Sequence, residues 1–407
     1  MNTLKTALTK LPFVFGMAAL MTLNVNTKAT AVVLYDVTDI DSFIGSNFST
    51  ATDINDAGQV VGYWYGDNSN GNARAFSWTS NTGITNLPIR PGVNNSVAFG
   101  INNAGEVVGH LNYGNSDRPV LWSNDRITAL GVLPAWNHSR ASDINDAGQI
   151  VGYFNDSDNN SGSRALLWSN NTITDLGTLP GNNSSRAFEI NNLGQILGYS
   201  YNYEAITNDA GQLAYSITSN ERRVLWNNNS ITDLTTTLPG QSANPIAINN
   251  AGQIAGSVYS QQLKGTVTAL WTNNYLTTLG TLEGKYQNSA VDLNDIGQVV
   301  GNANGSTSFI PFVWSSSTGM RDLNTLIEPS QGWKLLYVNA INNKGQIVVN
   351  GYKEQDFKGR ALLLTPRYTE PVPEPLTIGS TLLAGFGLAS LNYRQRRLHR
   401  CQRLQSN

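Results

Sequence analysis

One acidic segment of the sequence has the alternating oxygen ligands that suit a calcium ion. Asp156, Asp158 and Asn160 occupy every second position in it. The glycine that follows comes one position too late for a helix-loop-helix calcium loop, and Leu167 stands where such a loop has its bidentate glutamate. Calcium is therefore the only cofactor that the residues suggest, and a solvated loop is the alternative.

Tryptophan supplies the second set of candidates, because an indole ring offers a broad apolar face on which a sugar can stack. The sequence repeats itself about every 45 residues, and six tryptophans recur at one position of this repeat. Packing between neighbouring repeats is their expected role: Trp78, Trp122, Trp168, Trp226, Trp271 and Trp314. Trp64, Trp136 and Trp333 lie outside that register. We predict that these three are the exposed aromatic residues that could contact a ligand.

Catalytic motifs are absent from the sequence. His110 and His138 lie in different repeats, and neither a nucleophile elbow nor a phosphate-binding loop is present. Asp53, Asp143 and Asp292 each come just before a repeated turn, where hydrogen bonding in the turn is the simplest role. If the repeats form a propeller, as predicted below, acids from different blades would meet in one central channel. A catalytic pair of carboxylates therefore stays an open alternative to the turn role. The sequence predicts that the protein is not an enzyme.

Arginine recurs four residues before the end of the strand that carries the repeated tryptophan. These residues are Arg74, Arg118, Arg164, Arg222 and Arg360. Alternation along a strand puts them on the tryptophan side. We predict ion pairs with the aspartate of a neighbouring strand, such as Asp175, Asp233 or Asp322, and a ring of arginines that binds acidic sugars is the alternative.

Internal repetition decides the predicted fold. A phrase of the form Ile-Asn-Asp-Ala-Gly-Gln-Val-Val-Gly recurs at intervals of about 45 residues, and its copies occupy 54–62, 101–109, 144–152, 190–198, 248–256, 293–301 and 341–348. Each copy reads as a hairpin, since Asn-x-x-Gly provides the polar start and the positive φ of a tight turn. Two further short strands follow each hairpin. Four strands per repeat predict an all-β, seven-bladed β-propeller.

The two ends of the repeated region complete each other. The seventh repeat stops after Leu364 without its last strand, and the segment 35–40 near the start resembles that missing strand. Pairing of the two would close the ring and remove exposed sheet edges. The alternative is a β-solenoid, which would stack its units without this exchange. We also expect the long fourth interval to form an extended surface loop over 201–220.

The N-terminus has the three parts of a secretory signal peptide. Lys5 and Lys10 precede an apolar stretch over 11–23, and Ala29 and Ala31 form the small-residue cleavage site. The stretch is shorter than the roughly 20 residues of a membrane-spanning helix, which is the alternative. We therefore divide the chain into a signal peptide (1–31), a repeat domain (32–366), a linker (367–375) and a C-terminal segment (376–407).

The C-terminal segment also has three parts. Pro373, Glu374 and Pro375 precede an apolar stretch over 376–391, and a basic cluster that includes Arg394, Arg396 and Arg397 follows. This order resembles the PEP-CTERM sorting signal, which implies processing by an exosortase-type enzyme in the envelope of a Gram-negative-type bacterium. Helix over this stretch is just long enough to lodge in a bilayer, with the arginines on the cytoplasmic side. A permanent transmembrane anchor is the alternative.

The repeated phrase, with the Ala-Phe-x-Trp and Thr-Asp-Leu-Gly elements that follow it, resembles the HAF family of extracellular repeats. The resemblance covers nearly all of 32–366 and implies an extracellular repeat protein without implying an activity.

Composition narrows the class of function. The only cysteine, Cys401, lies in the segment expected to be removed, so disulfides and cysteine chemistry are excluded from the mature body. Removal of both terminal segments leaves more acidic than basic residues, which argues against nucleic acid as a partner. We predict an exported structural, adhesive or interaction protein of the cell envelope or exopolysaccharide matrix. A lectin-like carbohydrate-binding propeller is the alternative, and a glycan hydrolase the third possibility.

Overall fold

The computed structural model describes residues 33–43, 48–66, 72–131, 138–156, 162–207, 213–217, 221–283, 287–304, 309–356 and 358–368. The predicted signal peptide with Ala29 and Ala31 lies outside the described residues. So does the sorting segment with Pro373, Glu374, Pro375 and its arginines. Within the described ranges, no helix is both long enough and apolar enough to cross a membrane.

Short β-strands make up nearly all of the regular structure. The first is β1 (Val33–Asp39). Repeats 1 and 2 contain β2 (Phe48–Ile54), β3 (Val60–Tyr65), β4 (Ala73–Thr79), β5 (Gly83–Asn86), β6 (Asn95–Ile101), β7 (Val107–Asn112), β8 (Asp117–Ser123) and β9 (Arg126–Ala129). Repeats 3 and 4 contain β10 (His138–Ile144), β11 (Ile150–Asp156), β12 (Gly162–Ser169), β13 (Thr172–Asp175), β14 (Ser184–Ile190), β15 (Ile196–Tyr201), β16 (Tyr203–Thr207), β17 (Leu213–Ile217), β18 (Arg222–Asn227) and β19 (Ser230–Asp233).

The later repeats follow the same order. Repeats 5 to 7 contain β20 (Gln241–Ile248), β21 (Ile254–Ser260), β22 (Gly265–Thr272), β23 (Tyr275–Thr278), β24 (Asn288–Leu293), β25 (Val299–Asn304), β26 (Phe309–Ser315), β27 (Gly319–Asp322), β28 (Trp333–Ile341), β29 (Ile347–Lys353) and β30 (Arg360–Tyr368). The helical segments are single turns: α1 (Leu234–Thr237) and 3₁₀ turns at Ile40–Phe43, Leu323–Thr325 and Pro329–Gln331.

The sheets differ from the predicted number of blades. The described strands form five separate four-stranded blades, one eight-stranded sheet and one two-stranded hairpin. The eight-stranded sheet holds repeats 2 and 3, because β10 pairs in parallel with β8 where His138 lies beside Asp117. The hairpin of β16 and β17 forms where an extended loop is predicted. The fold is an all-β propeller, and the prediction of seven separate blades is wrong.

The repeated phrase folds as a hairpin for reasons that repeat 1 illustrates. Oδ1 of Asn55 accepts hydrogen bonds from the backbone N–H groups of Ala57 and Gln59, both at 3.0 Å. Gly58 has a φ of +82°, which a side chain would strain. At Gly62, a Cβ atom would lie 2.0 Å from the carbonyl oxygen of Thr50. The asparagine and both glycines are therefore required by the turn and by the close approach of β2 and β3.

Strands from both ends of the described region close the ring. β1 pairs antiparallel with β30 from Val33 and Tyr368 to Asp39 and Leu362, and it forms the outer strand of the last sheet. The backbone N–H of Tyr35 also donates to the carbonyl oxygen of Leu326 at 2.8 Å. The predicted exchange of terminal strands is confirmed, and a linear solenoid is excluded.

The hydrophobic core lies between neighbouring sheets. Trp122 of repeat 2, for example, packs in one cluster with Val61 and Ala75 of repeat 1. Five of the six repeated tryptophans are buried: Trp78, Trp122, Trp168, Trp226 and Trp271. The sixth, Trp314, is half-buried against the core. The predicted packing role of this set is confirmed, so these rings are not stacking platforms for a ligand.

Candidate functional site

The hairpin turns of the repeats form the narrow end of the central channel, a cavity of about 160 Å³. The first asparagine of each turn donates Nδ2 to the backbone carbonyl of the equivalent asparagine in the next repeat, at 2.9–3.2 Å. The order is Asn55, Asn102, Asn145, Asn191, Asn249, Asn294 and Asn342, which donates back to Asn55. Because the circuit closes, the polar groups of this inner ring are used to hold the repeats together.

A second, more exposed circuit runs beside the first. The residue after each of these asparagines donates its backbone N–H to the side-chain oxygen of the equivalent residue in the next repeat, at 2.7–2.9 Å. Its members are Asp56, Asn103, Asp146, Asn192, Asn250, Asp295 and Asn343. Carboxylates and amides alternate as far as an odd number allows, so that only Asn192 and Asn250 are like neighbours. The narrow end is thus a structural element.

A layer of carboxyl groups lies directly behind the turns. Asp53, Asp143, Glu189 and Asp292 each accept the backbone N–H of an isoleucine in the following repeat, at 2.8–2.9 Å. The three aspartates also accept the N–H of their own next residue at 2.7 Å. At Gly100, in the same position of repeat 2, a Cβ atom would lie 3.0 Å from Oδ1 of Asp143. Glycine therefore leaves room for that carboxyl group.

The four carboxyl groups hold protons unusually tightly. Burial raises the pKa of Asp143 to about 8, and the charges of Asp53 and Asp292 add to the effect. Burial likewise raises the pKa of Asp292 to about 7, that of Asp53 to about 6 and that of Glu189 well above its usual value. Their backbone hydrogen bonds act in the opposite direction. Part of this layer is therefore protonated near neutral pH.

The other end of the channel is a wider mouth of about 440 Å³. Its lining is Thr50, Ala51, Thr52, Phe99, Arg140, Ser142, Tyr153, Phe188 and Asn339. Five of these residues, Thr52, Phe99, Ser142, Phe188 and Asn339, lie at β-bulges of the innermost strands, immediately before the carboxyl position. A bulge re-aims a side chain. The bulges therefore supply the wide mouth with side chains that differ from repeat to repeat.

Arg140 is the cation of this mouth, and a buried carboxylate orients it. Asp117 accepts hydrogen bonds from Nε and Nη2 of Arg140 at 3.0 and 2.9 Å and from Nδ2 of Asn112 at 2.8 Å. Burial alone would raise the pKa of Asp117, but these hydrogen bonds and charges lower it. The Asp117 side chain is 7% exposed, whereas that of Arg140 is 42% exposed. The guanidinium is thus held in place and still accessible to a ligand.

Both histidines of the repeat region meet at Asp117, although they come from different repeats. Nε2 of His110 lies 3.9 Å from Oδ1 of Asp117, and Nδ1 of His138 lies 3.8 Å from Oδ2. The ring of Phe99 stacks on His110 with centroids 5.4 Å apart. Burial lowers the pKa of His110 to about 4. His110 is therefore uncharged at pH 7, and its ring provides a flat surface behind Phe99.

Arginine and tyrosine continue outward from the mouth along repeats 3 and 4. The guanidinium of Arg186 lies 4.7 Å from the ring centroid of Tyr153 and 5.9 Å from that of Tyr201. Arg223 lies over Tyr199 at 3.9 Å. Guanidinium groups stacked on aromatic rings offer both charge and flat contact area. Tyr201 is buried, and Arg186 also donates to Ser163 and Asn155, so these stacked pairs hold the strands beside the mouth in place.

The residues predicted from the sequence are scattered. Trp64 is half-buried and donates its indole N–H to Oδ1 of Asn86 at 2.8 Å. Trp333 packs on the core, with Nζ of Lys353 4.7 Å from its ring. Trp136, Asp158 and Asn160 lie outside the described residues, as does the side chain of Asp156. In the described ranges, no three His, Cys, Asp or Glu side chains are grouped to hold a metal ion.

The predicted arginine pairs are partly confirmed. Arg164 pairs with Asp175 at 2.8 Å, and Arg222 pairs with Asp233 at 3.2 Å. Asp322 instead accepts the backbone N–H of Asn324.

Sequence reasoning missed the residues of the mouth and one member of the carboxyl layer. Glu189 occupies the same repeat position as Asp53 and Asp143, so aligning the repeats would have found it. Phe99, Arg140 and their neighbours carry another kind of signal, since they stand where the repeats differ.

No protein-family model matches the chain, and no curated protein matches it. Among solved structures, the chain is similar to the β-propeller domain of the Trilobed protease from Pyrococcus furiosus, with 7% identity over 81% of this chain and 100% of that domain, and a TM-score of 0.52. It is also similar to an oligogalacturonate lyase in complex with manganese, with 12% identity over 84% of this chain and 97% of the lyase, and a TM-score of 0.51. These similarities define a β-propeller.

The prediction that the protein is not an enzyme is contradicted by these comparisons. Both propellers belong to enzymes, a protease and a lyase. The channel also brings together carboxyl groups from four repeats, which sequence spacing does not reveal. At such low identity, the similarity describes the fold alone, and the chemistry of this chain has to be argued from its own residues.

Proposed function

We propose that this protein is an exported propeller that binds an acidic polysaccharide at the wide mouth of its channel. The observation that carries the proposal is the oriented, accessible guanidinium of Arg140 in a cavity that also contains Phe99, Phe188 and Tyr153. Carboxylates bind guanidinium groups through charge-assisted hydrogen bonds, and sugar rings contact aromatic faces. A uronic acid unit combines both features in one residue of a polymer.

Export is the second part of this proposal. The segments 1–31 and 367–407 have the organisation of a signal peptide and a PEP-CTERM sorting signal, whose partner would be an exosortase-type enzyme. An acidic exopolysaccharide of the cell envelope would then be within reach of the mouth. Mass spectrometry of the native protein checks this part, because we expect the chain to end near Pro373–Pro375, and a mass that includes Asn407 would contradict it.

Binding is tested best by Arg140→Gln in the full-length protein. Glutamine can still donate to Asp117, so the fold should persist, while the charge presented to the ligand is lost. We expect affinity for polygalacturonate to fall at least about tenfold, since a charge-assisted hydrogen bond is worth about 1.5–3 kcal/mol. Arg164→Gln is the matched control, because Arg164 is paired with Asp175 on an outer strand. Equal binding by both variants would refute the proposed mouth site.

A second candidate function is cleavage of the same polysaccharide. Asp143 directly follows Ser142 of the mouth lining, and its pKa of about 8 keeps it protonated at neutral pH. A protonated carboxyl group beside a sugar site is what glycan-cleaving enzymes use as a general acid. The lyase to which the chain is similar acts, by its name, on oligogalacturonate.

Product analysis separates binding from cleavage. Wild-type protein is incubated with polygalacturonate, and the mixture is assayed for unsaturated ends, which a lyase forms, and for new reducing ends, which a hydrolase also forms. Asp143→Asn should abolish product formation, whereas Asp56→Asn at the narrow end should not. Absence of both products would leave binding as the function.

A further inference from the structure

The wide mouth and the narrow end are separate cavities of one channel. Among the described residues, the two cavities have no lining residue in common. On β10, Ser142 lines the mouth, Asp143 belongs to the carboxyl layer and Asn145 belongs to the asparagine circuit. These three positions lie within about 10 Å of strand. The carboxyl layer and the circuit therefore lie directly beneath the mouth.

Two features oppose the passage of a polymer through the narrow end. The asparagine circuit joins each repeat to the next by a hydrogen bond of 2.9–3.2 Å, so widening it would break contacts between repeats. The cavity there has only about 160 Å³, whereas sites for small molecules usually have roughly 300–1,000 Å³. An acidic polymer would also meet Asp53, whose pKa of about 6 leaves it ionised at neutral pH. A polysaccharide can therefore enter the mouth from one side only.

The mouth is a well around the channel axis rather than a groove across the surface. Its lining comes from repeats 1, 2, 3, 4 and 7. Repeats 5 and 6 place Ile246 and Val291 at the same bulge position, which completes the ring of innermost strands. A chain that lies across the rim would leave the depth of this well unused, whereas a chain end can fill it.

Three consecutive repeats shape one side of the well. Phe99, Ser142 and Phe188 occupy the bulge position of repeats 2, 3 and 4, and all three are only half-buried. Each phenyl ring is supported by another ring, since the centroids of Phe99 and His110 are 5.4 Å apart and those of Phe188 and Tyr199 are 5.0 Å apart. The small serine between the two phenylalanines leaves space for a ligand ring.

We propose that the wide mouth binds the end of an acidic polysaccharide chain, with the terminal sugar ring between Phe99 and Phe188 and its carboxylate on Arg140. Arg140 precedes Ser142 by two residues on β10, which places it nearer the rim. Its guanidinium thus holds the carboxylate away from the acids beneath. This inference rests on the proposed function for its ligand, and it adds that the site selects chain ends over internal units.

The first test counts the protein molecules bound to each chain. The full-length protein is titrated calorimetrically with galacturonate oligomers of defined length and with long polygalacturonate. We expect no more bound protein molecules than a chain has ends, whatever its length. A number that grows with chain length would overturn the inference, because internal units would then bind as well.

The second test fills the space between the two phenyl rings. Ser142→Phe should fold, since both neighbouring repeats carry phenylalanine at this position, and thermal unfolding checks it. Because the new ring takes the place of the terminal sugar, we expect affinity for the oligomers to fall at least about tenfold. Ile246→Phe is the matched control, since it adds the same ring at the bulge position of repeat 5, which does not line the mouth. Unchanged binding by Ser142→Phe, or an equal loss in both variants, overturns the inference.

Arg140→Gln separates this inference from the proposed function. If that variant binds polygalacturonate as tightly as the wild type, the mouth is not the site, and both fail. If it loses binding while the number of protein molecules on the wild-type complex still grows with chain length, the proposed function stands and only the selection of chain ends fails.

Discussion

The two ends of the channel are built on opposite principles. At the narrow end, every repeat contributes the same asparagine to one closed hydrogen-bond circuit. At the wide mouth, the equivalent bulge position carries Thr52 in repeat 1, Phe99 in repeat 2 and Asn339 in repeat 7. The uniform end satisfies its own polar groups, whereas the varied end presents an oriented cation and aromatic faces. Uniformity therefore marks the framework, and variation marks the candidate site.

The carboxyl layer lies between these extremes and shares features of both. Four repeats supply an acid there, and Gly100 and two alanines, Ala247 and Ala340, fill the remaining positions. Each acid joins two repeats through backbone hydrogen bonds, yet their mutual repulsion is a cost that a purely structural layer would not need.

The largest expected effect on stability comes from a substitution in the asparagine circuit of the narrow end. Asn145→Ala removes the acceptor for the N–H groups of Ala147 and Gln149 and the donor to the carbonyl of Asn191, together with a fourth hydrogen bond to Oε1 of Gln149 that water can replace. We expect the free energy of unfolding to fall by about 3 kcal/mol, at about 1 kcal/mol for each hydrogen bond. Denaturant unfolding measures it.

Asp146→Ala is the control for this prediction. Its side chain accepts hydrogen bonds from Asn103 and Asn192, but these bonds are exposed and water can replace them. The loss of this side chain should therefore cost only about 1 kcal/mol. Polysaccharide binding by the folded fraction of Asn145→Ala should match wild type, and a selective loss of binding would contradict a purely structural role for the narrow end.

An intermediate effect is expected from the carboxyl layer. A carboxyl group with a raised pKa binds its proton more tightly in the folded chain, so stability falls as pH rises from the ordinary value of 3.8 toward about 8. Between pH 6.5 and 8, the melting temperature of the wild type should decrease, and that of Asp143→Asn should decrease less. One full proton corresponds to about 1.4 kcal/mol per pH unit.

Asp56→Asn, in the second circuit of the narrow end, should keep the wild-type slope. If Asp143→Asn has that slope as well, Asp143 does not titrate in this range.

The smallest expected effect on stability comes from a substitution at the wide mouth, which should change ligand affinity selectively. Phe99→Leu keeps apolar bulk against His110 but removes the ring face. We expect affinity for the acidic polysaccharide to fall about three- to tenfold, in line with about 0.5–1.5 kcal/mol for an aromatic contact, while the melting temperature changes little. Affinity titration and thermal unfolding of the same sample measure both. A large drop in stability without loss of binding would assign Phe99 to the framework.

Much of the framework was predictable because the same sequence pattern recurs in every repeat. The hairpins, the core tryptophans and the exchange of terminal strands all follow from patterns that recur along the chain, and so do the pairs of Arg164 and Arg222. The number of separate blades did not follow. It depends on the parallel pairing of His138 with Asp117, which joins the strands of repeats 2 and 3 into one sheet and has no signal in the repeated pattern.

The candidate site was harder to predict because it too depends on contacts between different repeats. Phe99 and Ser142 come together because bulges in repeats 2 and 3 aim them at one axis, and Arg140 joins them because Asp117 of repeat 2 orients it. Nothing in the sequence marks those bulges or that contact. The acids illustrate the point, since Asp143 is read as a turn residue from its neighbours in sequence, whereas its raised pKa comes from burial in the folded channel and from the charges of Asp53 and Asp292 in other repeats.

The closing strand pair has a mechanical consequence. Val33 and Tyr368 are paired at the same end of β1 and β30, and the strands run antiparallel. Tension applied between these two residues would open the pairs one after another from that end, rather than load all seven at once. A ring pulled by its two ends should therefore open at low force, whereas a ring pulled at two points within its other sheets should resist.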